Sequence, residues 1–293
     1  MSAAQVRQGI WYGLGAYFCW GLFPLYWRPL HALPATEILA HRMVWSLPVL
    51  IVLLAWQGDW RQVLAALRQW RSSRLFLCSA LLLGCNWGVY IWAVNQGKVL
   101  EASLGYFINP LVNVLLGSVL LHERLRPGQW LSVALAAAGV AWLGWQLGTL
   151  PWVALVLAFS FGFYGFLRKT AALGSLEGLS MEAILLFLPA LGYLLWLSWQ
   201  GQGHFGHIDS GRTLLLMGTG IVTVIPLLMF GAGARRLPLS TLGLLQYLSP
   251  TLQLLIGALL YHEPFDQVRL IGFGLIWLAL LVFTAEGFWQ RRN

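Results

Sequence analysis

The stretch Glu101-Ala102-Ser103-Leu104-Gly105-Tyr106-Phe107-Ile108-Asn109-Pro110 leads into a mostly apolar run that closes on His122-Glu123. Part of this pattern occurs twice. Pro250, Gly257, His262 and Glu263 repeat the spacing of Pro110, Gly117, His122 and Glu123 at a constant offset of 140. That offset is nearly half of the 293 residues, so the chain reads as two copies of one unit. Ser240-Thr241-Leu242-Gly243 echo Ala102-Ser103-Leu104-Gly105 two residues out of step with the later offset, as a small indel near Asn109 or Tyr247 would produce. Upstream, Phe159, Gly162 and Lys169 follow Phe18, Gly21 and Arg28 at an offset of 141.

Hydrophobic residues make up 59% of the chain and charged residues only 10%, with a mean hydropathy of +0.71. Soluble domains carry about a quarter charged residues, so this composition defines an integral membrane protein. About 20 apolar residues span a bilayer, and a spanning helix satisfies its own backbone. The uncharged runs predict ten spans once the long run from Pro127 to Leu167 is divided at Gly148-Thr149-Leu150-Pro151.

The net charge of +8 reads as a topology signal rather than a nucleic-acid footprint. With the N-terminus placed in the cytoplasm, 13 of the 18 Lys and Arg residues fall on that side and five on the other, which fits the positive-inside rule with both termini cytoplasmic. Between the second and third spans, Trp60, Val63, Leu64, Leu67 and Trp70 alternate with Arg61, Arg68, Arg71 and Arg74. This pattern suits either a helix lying in the headgroup region or a short solvated connection. Cys19, Cys78 and Cys85 lack metal-ligand spacing and read as small core residues. The first apolar run lacks a cleavage site and is expected to stay as the first helix.

Five spans per unit is an odd number, so the second unit enters the membrane from the opposite face. The predicted fold is an all-α membrane protein of ten transmembrane helices in two inverted five-helix repeats, residues 1–148 and 149–293. Inverted repeats underlie many secondary transporters, with substrate held near the midplane between the halves.

The doubled five-helix unit with its Pro-to-Glu motif resembles the EamA-type drug/metabolite transporter superfamily. Glu37-Ile38-Leu39-Ala40-His41-Arg42, Asn86-Trp87, Ile91-Trp92-Ala93-Val94-Asn95, residues 100–113, and Ser240 to Gly243 with Gln246-Tyr247 look like its RarD branch. The resemblance covers nearly the whole chain. It implies a multi-pass permease of the bacterial inner membrane, and a central cavity walled by helices one, three, four, six, eight and nine.

Ionisable groups at membrane depth are costly and therefore functional candidates. In the cluster Glu37, His41 and Arg42, either a proton is taken up or Arg42 holds a substrate carboxylate or phosphate; the alternative is an interfacial cluster that caps the helix. Glu101, three residues after Lys98, is either a vestibule group or a helix-end charge. Asn86, Asn95, Asn109, Asn113, Thr223, Gln246 and Tyr247 are cavity candidates because uncharged polar groups concentrate on helices three, four, eight and nine. The deep aromatics Tyr17, Trp20, Tyr90, Tyr106 and Tyr164 join them as possible pocket walls. Pro24, Pro110, Pro226 and Pro250 are hinge candidates, since proline removes a helical hydrogen bond.

The two His-Glu pairs fall on opposite membrane faces and read as end markers of the repeat rather than as a metal site. No Walker loop, nucleophile elbow or HExxH occurs in the sequence, and no metal, cofactor or enzyme activity is expected. The expected partners are a small-molecule substrate, the lipid bilayer and, as a coupling ion, the proton; the chain is a monomer or homodimer without nucleic acid. The reading is a transporter or exporter of small organic metabolites, amino-acid-like or drug-like, working by alternating access. The other class left open is an intramembrane scaffold or enzyme on the same bundle.

Overall fold

In a computed structural model, residues 2–57, 60–96, 98–145, 151–261 and 267–289 are described, without the side chains of residues 3, 94, 95, 99, 100, 269 and 287–289. His262 and Glu263, the expected midpoint Gly148 to Leu150, and the side chain of Asn95 therefore lie outside the described set.

Among the described residues every regular element is helical. The order is α1 (Ala3–Gly21), α2 (Phe23–Trp27), a 3-10 turn (Arg28–Leu30), α3 (Ala35–Gln57), α4 (Trp60–Arg68), α5 (Trp70–Asn95) and α6 (Val99–Leu120). There follow α7 (Pro127–Trp145), α8 (Trp152–Thr170), α9 (Ser175–Trp199), α10 (Ser210–Arg236), α11 (Leu239–Gln246), α12 (Leu248–Leu255), a π turn (Ile256–Leu260) and α13 (Gln267–Trp289). Among the described residues seven helical stretches are long and apolar enough to cross a membrane: α3, most of α5, most of α6, α8, α9, α10, and the run from α11 through the π turn. The 19-residue helices α1 and α7 fall outside this set, with Gln5, Arg7 and Gln8 opening the first and Pro127, Gly128 and Gln129 the second.

Three sequence expectations change. The basic, tryptophan-rich segment divides: α4 is a separate helix that buries Val63 and Ala66 and packs on α5 and α9, whereas Trp70, Arg71 and Arg74 already belong to α5. The ninth span is broken rather than continuous. Cys78 and Cys85 are exposed rather than core residues, because the inner face of α5 is taken by Phe76, Ser79, Ala80 and Leu83.

The connections reverse the chain, so the starts of α1, α5, α7, α9 and α11 share one end with the finishes of α3, α6, α8 and α10. We call it the N-terminal face. Helix α8 packs on α5 and α6, α1 packs on α10, α11 and α12, and α3 packs on α9 and α10. Helices α7 and α13 pair with each other at the side, around Ala136, Phe273, Ile276 and Ala279.

Candidate functional site: a central cavity

Two prolines shape the site. Helix α1 ends at Gly21 and α2 resumes at Phe23, because Pro24 has no N–H for the Trp20 carbonyl four residues back. In a bilayer such a freed carbonyl needs another donor. Gln253 of α12 supplies it, its Nε2 donating to Trp20 O at 3.0 Å. Likewise α11 stops at Gln246 and α12 starts at Leu248, since Pro250 cannot donate to the Gln246 carbonyl. By contrast Pro110 and Pro226 lie inside continuous helices, α6 and α10.

Between these broken segments and α3, α5, α6 and α8 lies a cavity of about 780 Å³. It opens toward the face opposite the N-terminus, where Arg28, His31, Leu33 and Ala35 form its rim. Its walls include Trp20, Phe23, Trp27, Trp87, Tyr90, Tyr106 and Phe161. Such a volume and largely aromatic lining are those of small-molecule sites.

Asparagines tie one wall together. Asn86 Nδ2 donates to Leu157 O at 2.8 Å and to Ser160 Oγ at 3.0 Å; Asn109 Nδ2 donates to Ala158 O at 2.6 Å. Asn113, fully buried behind Asn109, donates to Asn109 Oδ1 at 3.2 Å and to Gln246 Oε1 at 3.1 Å. This last bond joins α6 to α11, where the two backbones come close. A Cβ on Gly243 would meet the Pro110 carbonyl oxygen at 2.8 Å, so only glycine fits.

Arg42 reaches the cavity from α3. Its Nε donates to Thr223 Oγ1 at 3.0 Å, and its guanidinium carbon lies 4.6 Å from the Trp87 ring centre, 5.2 Å from Trp27 and 5.9 Å from Phe23. The other members of the sequence cluster point elsewhere. Glu37, 1% exposed, accepts from the His204 backbone N–H at 2.8 Å and sits 2.7 Å from His204 Nδ1, with His41 Nε2 4.0 Å away. Glu101 pairs with Lys98 at 3.4 Å and is absent from the cavity wall.

Below the cavity an aromatic floor separates it from the N-terminal face. Trp20 and Phe161 meet edge to face with centres 5.7 Å apart, and both rest on Phe230. Phe230 in turn contacts the fully buried Tyr17 and stacks on the fully buried Tyr164 at 5.9 Å. Tyr247 is also buried, its hydroxyl donating to Phe107 O. Of the sequence candidates, then, Trp20, Asn86, Tyr90, Tyr106, Asn109, Gln246, Arg42, Pro24 and Pro250 line the cavity. Tyr17, Asn113, Tyr164, Thr223 and Tyr247 lie behind or beneath it.

Two polar clusters below the floor escaped the sequence reading. Helix α6 ends with His122 at φ 53, a left-handed conformation that histidine tolerates better than branched residues. This turn swings Glu123 toward the start of α11, where its carboxylate accepts from the backbone N–H groups of Leu239 at 2.6 Å and Ser240 at 3.0 Å, and from Ser240 Oγ at 2.8 Å. Gly117 clears the path, since a Cβ there would stand 2.5 Å from Glu123 Oε2. Lys169 approaches Glu123 at 3.9 Å and donates to the carbonyls of Ala234 and Leu237. In the second cluster Arg168 and Glu182, each 1% exposed, lie 3.7 Å apart, and Ser79 Oγ donates to Glu182 at 2.6 Å. Nothing in the sequence marks this pair, since Glu182 stands one residue before an apolar run and Arg168 is one of two adjacent basic residues.

These features define a multi-pass helical membrane protein with a solute-sized cavity between its two halves. The family model described as "EamA-like transporter family" matches residues 7–145 and again residues 150–285, and the chain belongs to that family. It is similar to Protein RarD of Streptomyces exfoliatus, 50% identical over 99% of this chain and 92% of that protein. It is also similar to the uncharacterized transporter YojE of Bacillus subtilis (strain 168), 46% identical over 100% of this chain and 99% of that protein. A solved crystal structure shares its fold with a TM-score of 0.74 at 21% identity, over 95% of this chain and 97% of that one.

Proposed function

We propose that the chain is a secondary transporter of small organic metabolites that works by alternating access, with ten spans arranged as inverted units 1–148 and 149–293. The observation that carries this reading is a cavity open at one face and closed at the other by polar bonds between the two halves. The packing is consistent with the inversion. Exchanging α1 with α8, α3 with α9, α5 with α10, and α6 with α11–α12 turns the α5–α8 contact into α10–α1, and the α3–α10 contact into α9–α5. The double match of the family model supports the same division.

The offset of 141 pairs Trp20 with Phe161, which touch, and Phe23 with Tyr164. Phe23 lines the cavity and Tyr164 is buried beneath it, as two equivalent positions would be in a carrier open on one side. Arg61, Arg68, Arg124, Arg126, Arg168, Lys169, Arg235 and Arg236 gather toward the N-terminal face, which we place in the cytoplasm. The state described is then outward-open, with Glu123 and Lys169 part of the inner seal. Proton coupling belongs to this reading, through the buried carboxyls of Glu37 and Glu182.

Counterflow in proteoliposomes tests it. Exchange of a labelled organic solute is expected; tight binding without exchange under any gradient would instead leave the bundle a scaffold. Uptake under an imposed pH gradient, in wild type, Glu37→Gln and Glu182→Gln, tests the coupling, which fails if wild-type uptake ignores the gradient.

A further inference from the structure

We infer that Arg42 is the recognition group for an organic anion, and that the substrate carries a single carboxylate on an aromatic or otherwise apolar body. This rests on reading the cavity as the translocation site. Among the described residues the cavity wall holds Arg28, His31 and Arg42 and no Asp or Glu. The nearby carboxylates are engaged elsewhere, Glu37 with His204 and Glu101 with Lys98.

The two arginines differ. Arg28 stands at the rim over the Tyr261 ring at 4.1 Å, where water reaches it. Arg42 lies deeper among three aromatic rings, gives only its Nε to Thr223, and has no ion pair among the described residues. A guanidinium partly withdrawn from water lacks compensation until a counter-charge arrives. Its terminal Nη groups present the planar pair of donors that matches one carboxylate. One cation balances a monoanion, whereas a phosphate dianion beside the same rings would stay half uncompensated. The cavity likewise offers no carboxylate to an ammonium group, which disfavours zwitterions and amines. The rings of Trp27 and Trp87 that flank Arg42 would take the apolar body of the solute.

The test measures binding of benzoate, phenylacetate and indole-3-acetate to the purified full chain, by thermal shift and calorimetry. Phenylacetamide, phenylalanine, phenethylamine and phenyl phosphate serve as the neutral, zwitterionic, cationic and dianionic comparisons. At least one carboxylate should bind more tightly than all four comparisons. Arg42→Gln should weaken it about 10- to 100-fold, the range expected for losing a charge-assisted pair, and Arg42→Lys should weaken it less. Unliganded melting and monodispersity of each variant show that it is folded. The proposal is overturned if no carboxylate binds wild type, if a comparison compound binds equally well, or if folded Arg42→Gln keeps the wild-type affinity. Carboxylate binding through Arg42 without counterflow would uphold the anion site and remove the transport reading. Counterflow of neutral solutes with no carboxylate competition would do the reverse.

Discussion

At the scale of single residues, the least expected pair is Arg168 and Glu182. Both are buried, and Glu182 also receives hydrogen bonds from Ser79 and Tyr164. Removing one member of such a pair leaves an unpaired charge and costs about 3 to 5 kcal/mol, whereas replacing both by apolar residues is often neutral. Glu182→Leu alone should therefore lower the apparent melting temperature clearly, and Arg168→Met with Glu182→Leu should recover most of the loss. A double variant as unstable as the single one would show that the pair is not a coupled unit. Polar residues at membrane depth were legible as a group from composition. Which of them line the cavity was not, because Asn113 and Thr223 have the same character as Asn86 and Asn109 and differ only in what packs in front of them.

At the scale of elements, Pro24 and Pro250 coincide with helix breaks, whereas the other two hinge candidates, Pro110 and Pro226, lie inside continuous helices. The break at Pro24 is bridged from another helix, Gln253 of α12 donating to the Trp20 carbonyl. Gln253→Leu should destabilise by about 1 to 3 kcal/mol, the cost of an unsatisfied buried carbonyl. Adding Pro24→Ala restores an N–H four residues along and should offset part of that loss in a thermal-unfolding cycle; additive losses would mean that Gln253 acts otherwise. All four prolines were visible as hinge candidates, but the sequence alone does not distinguish a break from a continuous turn. The paired motif was equally visible, yet its His-Glu end looked like punctuation. The geometry at Glu123 depends on the left-handed turn at His122 and on the proximity of α11, which is 116 residues away from Glu123 in the chain.

At the scale of the whole molecule, the proposed inner seal rests on a few directed bonds. Glu123 holds the start of α11 by helix-terminal N–H groups, an arrangement favoured by the helix dipole. Glu123→Gln keeps the shape but removes the charge, and should shift the population toward the inward-open form. With the three native cysteines replaced, a thiol reagent applied from the N-terminal face should label Leu237→Cys, a buried position, several-fold faster in the Glu123→Gln background. An unchanged labelling rate would show that the seal is held elsewhere.

The guanidinium of Arg42, which has no ion pair among the described residues, has an electrical consequence. An empty cavity carries its positive charge uncompensated, while one holding a monoanion is neutral at that point. A membrane potential acts on each uncompensated charge that crosses it, by about 2.3 kcal/mol per 100 mV for a full crossing. If the charge shifts within the field during the cycle, voltage works on the return of the empty protein and leaves the loaded step nearly untouched. An inside-negative cell would then draw the empty site inward.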